Sequence, residues 1–356
     1  MSNMAKIIKI LDPQAGTVQE SVMEEKAGGN EHLFENAVFG GQKKTLMEAA
    51  MNTADFPQLL RDGIKTIAFD RYTATPTTYQ AFVDVTSSDK QSEDWIEESH
   101  LGEFPIVGEG NPVPITKRDL DRTINIRNYK REVILEVTEE MLKFNRTNLI
   151  KRDAALLGRA AASTREQTVY SVLTDTNNYT RTTAAGDNDI GNNTGAVTFS
   201  ASGLNTALNT LRTMKDRKSG QYLGVMPDTL IVAPRLEMAA KQLLLSPALA
   251  RVGGNTTNDV YGGGVANPFR GMVNQIIVSP RLGTSYQWSL MEAKQAIILQ
   301  VVEDFQIFFE SAKMLQSESW FNFDVIRYKA RDWFGAGFLN DRFAFYSSST
   351  SAPTVD

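Results

Sequence analysis

Cysteine is absent from this chain, and histidine nearly so. Without cysteine there is no disulfide, no thiolate metal site and no thiol nucleophile. That usage fits a reducing compartment. The only histidines are His32, in an N-terminal arm, and His100, near an exposed hairpin. Any imidazole base or ligand must be one of these two, and no nucleophile-elbow motif accompanies a Ser–His–Asp reading. Charge of one sign is also scarce: 37 basic against 42 acidic residues leave a net charge of -5. Such a balance gives no basic field for tight nucleic-acid binding, although a local patch stays open. No window approaches the roughly 20 apolar residues of a membrane span. Asp12-Pro13 interrupts the N-terminus before a signal-length apolar run can form. No phosphate-binding Gly-Lys-Ser/Thr loop occurs, and Gly262-Gly263-Gly264 lacks the spaced third glycine of a dinucleotide fingerprint. No cofactor or metal is expected.

What remains is an ordinary globular composition over 356 residues, enough for one large domain or two or three subdomains with a sizeable core. The most telling stretch runs from Tyr79 to Leu173. It reads as a long polar hairpin followed by one long helix. Ala81 to Thr86 is the expected outgoing arm and Thr123 to Arg127, where apolar and polar residues alternate, the returning one. The segment between them is too polar to build its own core, so it calls for a neighbouring molecule.

The chain before the hairpin is sparse in core residues up to Gly41 and reads as an extended arm. Short helices are expected at Gln42–Met51 and after Asp55-Phe56-Pro57, and a strand at Lys65–Tyr72. Past the hairpin, Val133, Leu135 and Val137 alternate with Glu132, Ile134 and Glu136. The long helix is expected over about 146–174, because Leu149, Leu156, Leu157, Ala160, Val172 and Leu173 recur at spacings of about three and four. Lys151, Arg152, Arg159, Arg165 and Glu166 fill its other face, which reads either as a solvated face or as the lining of a nucleic-acid-filled space. Residues 175–195 and 251–266 are loops rich in glycine, asparagine and threonine. Between and beyond them, a helix over 202–215, the buried strand Leu230–Ala233, a helix from Pro234 to Leu245 and the buried strand Ile276–Val278 predict an α/β subdomain. In the tail, Ala296–Leu299 and Gln306–Phe309 read as short strands. Trp320–Asp332 reads as a long strand with a bulge near Val325, paired across a Gly335-Ala336-Gly337 turn with a strand holding Leu339, Phe343 and Phe345. The expected core includes Leu156, Leu157, Ala160, Val172, Phe321, Phe323 and Phe343.

Two polar clusters hint at chemistry. Asp187-Asn188-Asp189-Ile190-Gly191 has the start of a calcium loop, but its fifth position is Gly191 and no glutamate closes it, so a solvated loop is the simpler reading. The acidic run Glu93, Asp94, Trp95, Glu97 and Glu98 either meets a basic neighbour or is a solvated face.

The order of elements resembles the major capsid proteins of tailed bacteriophages, the Hong Kong 97 fold. The residues that carry this are Phe56–Arg61 before the hairpin, Leu101–Pro105 and Val107–Gly110 where the family has its extended-loop glutamate-glycine runs, Met226–Pro234 as strand into helix, and Arg327–Arg331 with Gly335 and Phe338–Arg342 as closing strands. The resemblance implies an α+β fold. Residues 1–75 would be the N-terminal arm and 76–131 the extended loop. Residues 132–202 and 295–350 would be the peripheral domain with its spine helix, 203–294 the axial domain and 351–356 a tail. It implies a non-enzymatic protein that self-assembles through pentamers and hexamers into an icosahedral shell around double-stranded DNA. Implied partners are further copies of the chain, a separate scaffolding protein, a portal at one vertex, a decoration protein and DNA held non-specifically, with no membrane. Assembly would take place in the host bacterial cytoplasm and the product would be the virion. Expected inter-subunit contacts are Glu93, Asp94, Trp95, Glu97, Glu98, Glu103 and Glu109 on the hairpin, and Arg251, Gly253, Gly254, Asn255 and Tyr261 on the second loop. That loop's glycines would let it adapt to five- and six-fold rings. The competing readings are an encapsulin-type nanocompartment shell protein and a soluble α/β hydrolase-like enzyme.

Overall fold

The structure, a computed structural model, describes residues 56–98, 104, 106–113, 115, 120–144, 147–180, 192–249, 265–283, 285–310 and 318–353. In chain order, helix α1 (Phe56–Ala74) precedes strands β1 (Asp84–Ser87), β2 (Ser92–Glu98), β3 (Leu120–Arg127) and β4 (Tyr129–Thr138). A short helix α2 (Glu139–Lys143) leads to the long helix α3 (Thr147–Thr174). Then come β5 (Thr194–Gly195), α4 (Ala201–Arg212), β6 (Thr229–Val232), α5 (Glu237–Leu245), β7 (Ala248–Leu249) and β8 (Val265–Ala266). The chain continues through β9 (Gln275–Val278), β10 (Trp288–Met291), β11 (Ile297–Phe309), α6 (Glu318–Phe323), β12 (Val325–Phe338) and β13 (Ala344–Ser347). One sheet has the order β1-β11-β12-β4, another β5-β13-β10-β6-β9, and β2 with β3 and β7 with β8 form two-stranded ribbons.

The chain divides into two compact units. The first comprises Met1–Pro76, Arg131–Ala162 and Phe305–Asp332. Its core joins Ile64 and Ala68 of α1 to Ile150, Ala154 and Leu157 of α3, and to Val137, Phe305, Ile307, Ile326, Tyr328 and Ala330 of the strands. The helical members stand four and three apart, so they share one stripe. Gly158 lets the two helix backbones touch, since a Cβ there would lie 2.0 Å from the Ala68 carbonyl oxygen. On β12 the alternate residues Arg327 and Lys329 point away from this core. They pair with Glu136 at 2.7 Å and Glu132 at 3.6 Å.

The second unit comprises Thr77–Lys130, Ser163–Asp304 and Trp333–Asp356. Its five-stranded sheet is covered on both faces, and β6, β10 and β13 are buried at every position. A strand buried on both faces reads as a continuous apolar run, and the period-two geometry sends neighbours to opposite clusters. Leu230 and Val232 pack with Leu204, Leu208 and Leu211 of α4 and Ala240 and Leu244 of α5. Ile231 faces Val169, Tyr170 and Leu173 of α3, with Phe82, Tyr179 and Phe334. Helix α4 is capped by Ser200, whose hydroxyl accepts from the Gly203 amide at 3.0 Å.

Several expectations are corrected. Residues 65–72 are helical, within α1. Ile64, Ile67, Ala68 and Tyr72 keep helical spacing and outweigh the β-branched residues among them. The outgoing strand at 84–87 does not pair with the returning arm. β1 lies parallel to β11, Asp84 opposite Ile298, and the hairpin's true outgoing arm is β2. The apolar phase switch near Val325 is a helix-to-strand junction and not a bulge. Helix α6 ends at Phe323, and Asp324 holds a left-handed φ of 53° before β12 starts. Phe321 and Phe323 therefore lie on a short helix and are exposed, Phe321 at 89%. Gly335 and Gly337 sit inside β12 and make no turn. The expected partner of β12 is instead β13, which pairs antiparallel with β10 and parallel with β5. Ile297–Phe309 is one strand where two were expected. On α3, Leu157 is buried, but Leu156 is 52% exposed and Ala160 is exposed, because a helix narrower in contact than its apolar content buries one stripe only. Val172 and Phe343 are partly buried against the core. Arg165 does not belong to an open basic face: it is buried, bonded to Asp304 at 3.1 Å and stacked 5.5 Å over the Phe334 ring.

Candidate assembly interface

The β2–β3 ribbon is tied to its own unit at its root. The Ser88 hydroxyl donates to Glu93 at 3.0 Å, and Gln300 of β11 donates to the same carboxylate at 3.3 Å. Asn128 donates to Ser88 at 3.1 Å and to the Lys90 carbonyl at 2.8 Å. Gly335 and Gly337 explain why this region lies so close to β12. A Cβ on Gly335 would fall 2.6 Å from the Arg127 carbonyl oxygen, and one on Gly337 would fall 2.3 Å from Ile126. The two glycines are a seat for the returning arm.

A second anchor lies at the far end of the ladder. Glu97 is only 6% exposed. One carboxylate oxygen meets Arg342 and the other lies 3.4 Å from Arg122, its cross-strand neighbour. Arg342 is held from behind: it donates to Asn340 at 3.2 Å and to Asp216 at 2.7 Å. Asp216 in turn accepts from the Ser219 amide and hydroxyl, each at 2.8 Å, and Arg217 pairs with Asp341 at 3.3 Å. Burial alone would raise the Asp216 pKa, but the Ser219 hydrogen bonds and the Arg342 charge outweigh it and hold the carboxyl below its usual range. Directly after Glu97 the ladder slips. Glu97 faces Arg122 but Glu98 faces Leu120, which leaves Asp121 as a bulge.

Beyond the bulge the described residues turn apolar and exposed. Phe104 is 94% exposed and Ile106 fully so, with Val113 and Ile115 alike. A turn closes there, with the Asn111 amide donating to the Gly108 carbonyl at 3.1 Å and Gly110 at φ 79°. So many large apolar groups in a short exposed stretch make it the candidate docking surface of the subunit.

The remaining expected contact residues fall as follows. Asp94 is exposed and accepts from Asn125 at 2.6 Å, and Trp95 is half-buried opposite Ile124. Glu109 is exposed in the turn. Glu97 is buried and its carboxylate is paired inside the subunit, with arginines too far along the chain to be read beside it. Glu98 lies on β2. Glu103, Arg251, Gly253, Gly254, Asn255 and Tyr261, the histidines and the loop from Asp187 to Gly191 lie outside the described residues. Among the described residues, no cluster of acidic or histidine side chains is arranged to hold a metal, and no helix is long and apolar enough to cross a membrane.

Residues 123–347, from the returning arm of the hairpin to the last strand, match the family model for phage capsid protein. The chain belongs to the phage capsid protein family. Its fold is that of the tailed-phage capsids. Among solved structures, the capsid of cyanophage P-SCSP1u superposes with a TM-score of 0.53 at 12% identity, over 78% of this chain and 89% of that one. The virus-like particle from Pyrococcus furiosus matches at 0.45 and 11% identity, over 81% and 98%. The capsid of the native GTA particle matches at 0.47 and 12% identity, over 76% and 89%. No curated protein matches the chain. As a capsid protein it self-assembles and belongs to the shell of a virion.

Proposed function

We propose that this capsid protein builds the icosahedral head of a tailed phage through pentamers and hexamers that close around double-stranded DNA, with no catalytic step of its own. The observation that carries the reading is the apolar tip at Phe104, Ile106, Val113 and Ile115, a surface with no use in a solitary subunit. The tip packs on the next copy, and repetition of that contact closes the ring. Residues 203–294 would be the axial domain that meets its copies around the symmetry axes, residues 132–202 and 295–350 the peripheral domain with the spine helix, and residues 76–131 the extended loop. Its partners in this reading are a separate scaffolding protein, a portal at one vertex and a decoration protein. DNA is held by non-specific contacts, and assembly takes place in the host bacterial cytoplasm.

Electron microscopy of the expressed chain, alone and with the other head proteins of its phage, tests this. Closed particles with five- and six-fold clusters, the tip lodged on a neighbouring copy, are expected, and the mature particles hold DNA. A monomer at all concentrations and with all partners rejects the shell. Particles that hold protein cargo and no nucleic acid would reassign it to a nanocompartment.

A further inference from the structure

The charge cluster at Glu97 has a role distinct from that of the apolar tip. We propose that the seat of Glu97 is a latch and pivot. It fixes the hairpin ladder to its own subunit as far as residue 97, and the bulge at Asp121 is the hinge from which the tip is aimed. That the tip is aimed at a second copy rests on the shell reading; the latch itself does not.

Four separate stretches of chain meet at this seat: Glu97, Arg122, the pair Asp216 and Arg217, and the pair Asp341 and Arg342. Three carboxylates face three guanidinium groups, so the cluster is neutral with Glu97 in place and carries an excess cation without it. The arginine that receives Glu97 is oriented by groups that lie outside the hairpin. Asn340 accepts from both its backbone amide, at 3.0 Å, and its side chain, and Asp216 takes a second nitrogen. The remaining edge of the planar fork has one direction to point, and a guanidinium set this way accepts a carboxylate in one orientation only. The Glu97 peg therefore specifies register and direction as well as attachment.

The choice of a charged peg also has a consequence. A buried apolar peg, once released, leaves a sticky surface on both partners. A carboxylate and an arginine that separate regain their hydration. The ladder is thus held in one register and can still be unseated without exposing new apolar area. The position of the bulge completes the device. A bulge bends and twists its ribbon, and this one begins one residue past the peg. Upstream every described rung is held, and downstream the described side chains are exposed. Ser88, Glu93, Asn128 and Gln300 secure the root, so loss of the peg would move the pivot from residue 97 back to about residue 91.

Hydrogen exchange on the full chain before assembly, read by mass spectrometry, tests the latch. In the native chain, protection should run along β2 as far as Glu97 and stop there. Protection that ends near Ser92, or that continues through residues 104–113, overturns the proposal. Glu97→Ala should speed exchange of residues 92–97 by ~tenfold or more while β6 in the sheet core keeps its rate. Equal acceleration of β6 would mean a general structural role and no latch. No acceleration at all would mean that the peg holds nothing. If the alanine variant does not fold, Glu97→Gln keeps the shape and removes the charge, and the same local acceleration is required of it. Particle formation is scored separately. Latched subunits that form no particles sink the shell reading and leave the latch, and particles built from unlatched native subunits do the reverse.

Discussion

The two halves of the hairpin solve opposite problems. From Ser92 to Glu97 the ribbon is polar, and its described carboxylates at Glu93, Asp94 and Glu97 all have partners in the same subunit. From Phe104 to Ile115 it is rich in large apolar groups that have none. Polar groups that must stay satisfied whether or not a neighbour is present belong where the subunit itself supplies the partners. Apolar groups that gain only on contact belong where the neighbour will be. On the proposed assembly reading, polarity along the ribbon marks where the subunit ends and the contact with a neighbour begins.

The sharpest test of this contrast is at the tip. Ile106→Asp together with Ile115→Asp should leave the melting temperature of the subunit unchanged and abolish particle formation. Burial of each large aliphatic side chain contributes about 1.5–3 kcal/mol, and the contact is lost at every repeat. A charged tip that still assembled, seen by light scattering or microscopy, would break the comparison.

The same contrast appears one residue apart on α3. Leu157 is buried among Ile150, Ala154 and Phe305, whereas its neighbour Leu156 is exposed. Leu157→Asp places an unpaired charge in that core and should cost several kcal/mol, with a loss on the order of 3–5. Leu156→Asp should change the unfolding free energy by less than about 0.5 kcal/mol. Chemical denaturation of both variants checks the pair, and equal losses would contradict the helix register.

A third test probes the seat of the returning arm. Gly335→Ala adds a Cβ 2.5 Å from the Asn128 side-chain oxygen, whose amide is held by bonds to Ser88 and Lys90, and 2.6 Å from the Arg127 backbone carbonyl. A stability loss of about 1–3 kcal/mol is expected, with faster exchange at the root of the hairpin. A neutral variant would show that the arm does not need backbone contact with β12.

These tests also mark what the sequence could and could not tell. The long helix was legible because its apolar residues repeat with the helical period over 28 residues. The sheet core was legible at Leu230–Val232 because a strand buried on both faces is a short apolar run, whereas Ile276–Val278, read as another buried strand, is an edge strand with only Ile277 fully buried. The hairpin was legible as a segment without a core of its own, but reading it as polar passed over the apolar tip at Phe104, Ile106, Val113 and Ile115, and its arms were misplaced. Asp84–Ser87 alternates much as a hairpin arm does, and only the parallel partner β11, more than two hundred residues on, gives it a different place. Gly335 and Gly337 look like a turn because sequence shows permissive backbone and not what lies across it. The seat of Glu97 left no local signal, since residues 97, 122, 216, 217, 341 and 342 meet only in the folded chain. Asp341-Arg342 and Asp216-Arg217 are both adjacent acid–base pairs, which was the one available hint.

The smallest expected effect is an acid dependence confined to the anchored half. Asp216 has its pKa lowered in the folded chain, through Ser219 and Arg342 against the opposing effect of burial. A carboxyl whose folded pKa lies below its unfolded one contributes stability that is fully present above the unfolded value, near pH 4. That contribution is lost as pH falls through the folded value. Asp216 therefore gives no pH dependence between about pH 5 and 8 and a falling one below about pH 4. Thermal unfolding of the native chain and of Asp216→Asn from pH 7 to pH 3 separates this from the general acid response. The variant should melt lower at neutral pH, because Arg342 loses its rear partner, and the two curves should draw together in acid. Exchange measured over the same range should place the loosening in residues 92–97, with the tip already open at every pH. Parallel curves, or an acid response spread evenly over the sheet core, would detach Asp216 from the hairpin's anchor and erase the boundary drawn at Glu97.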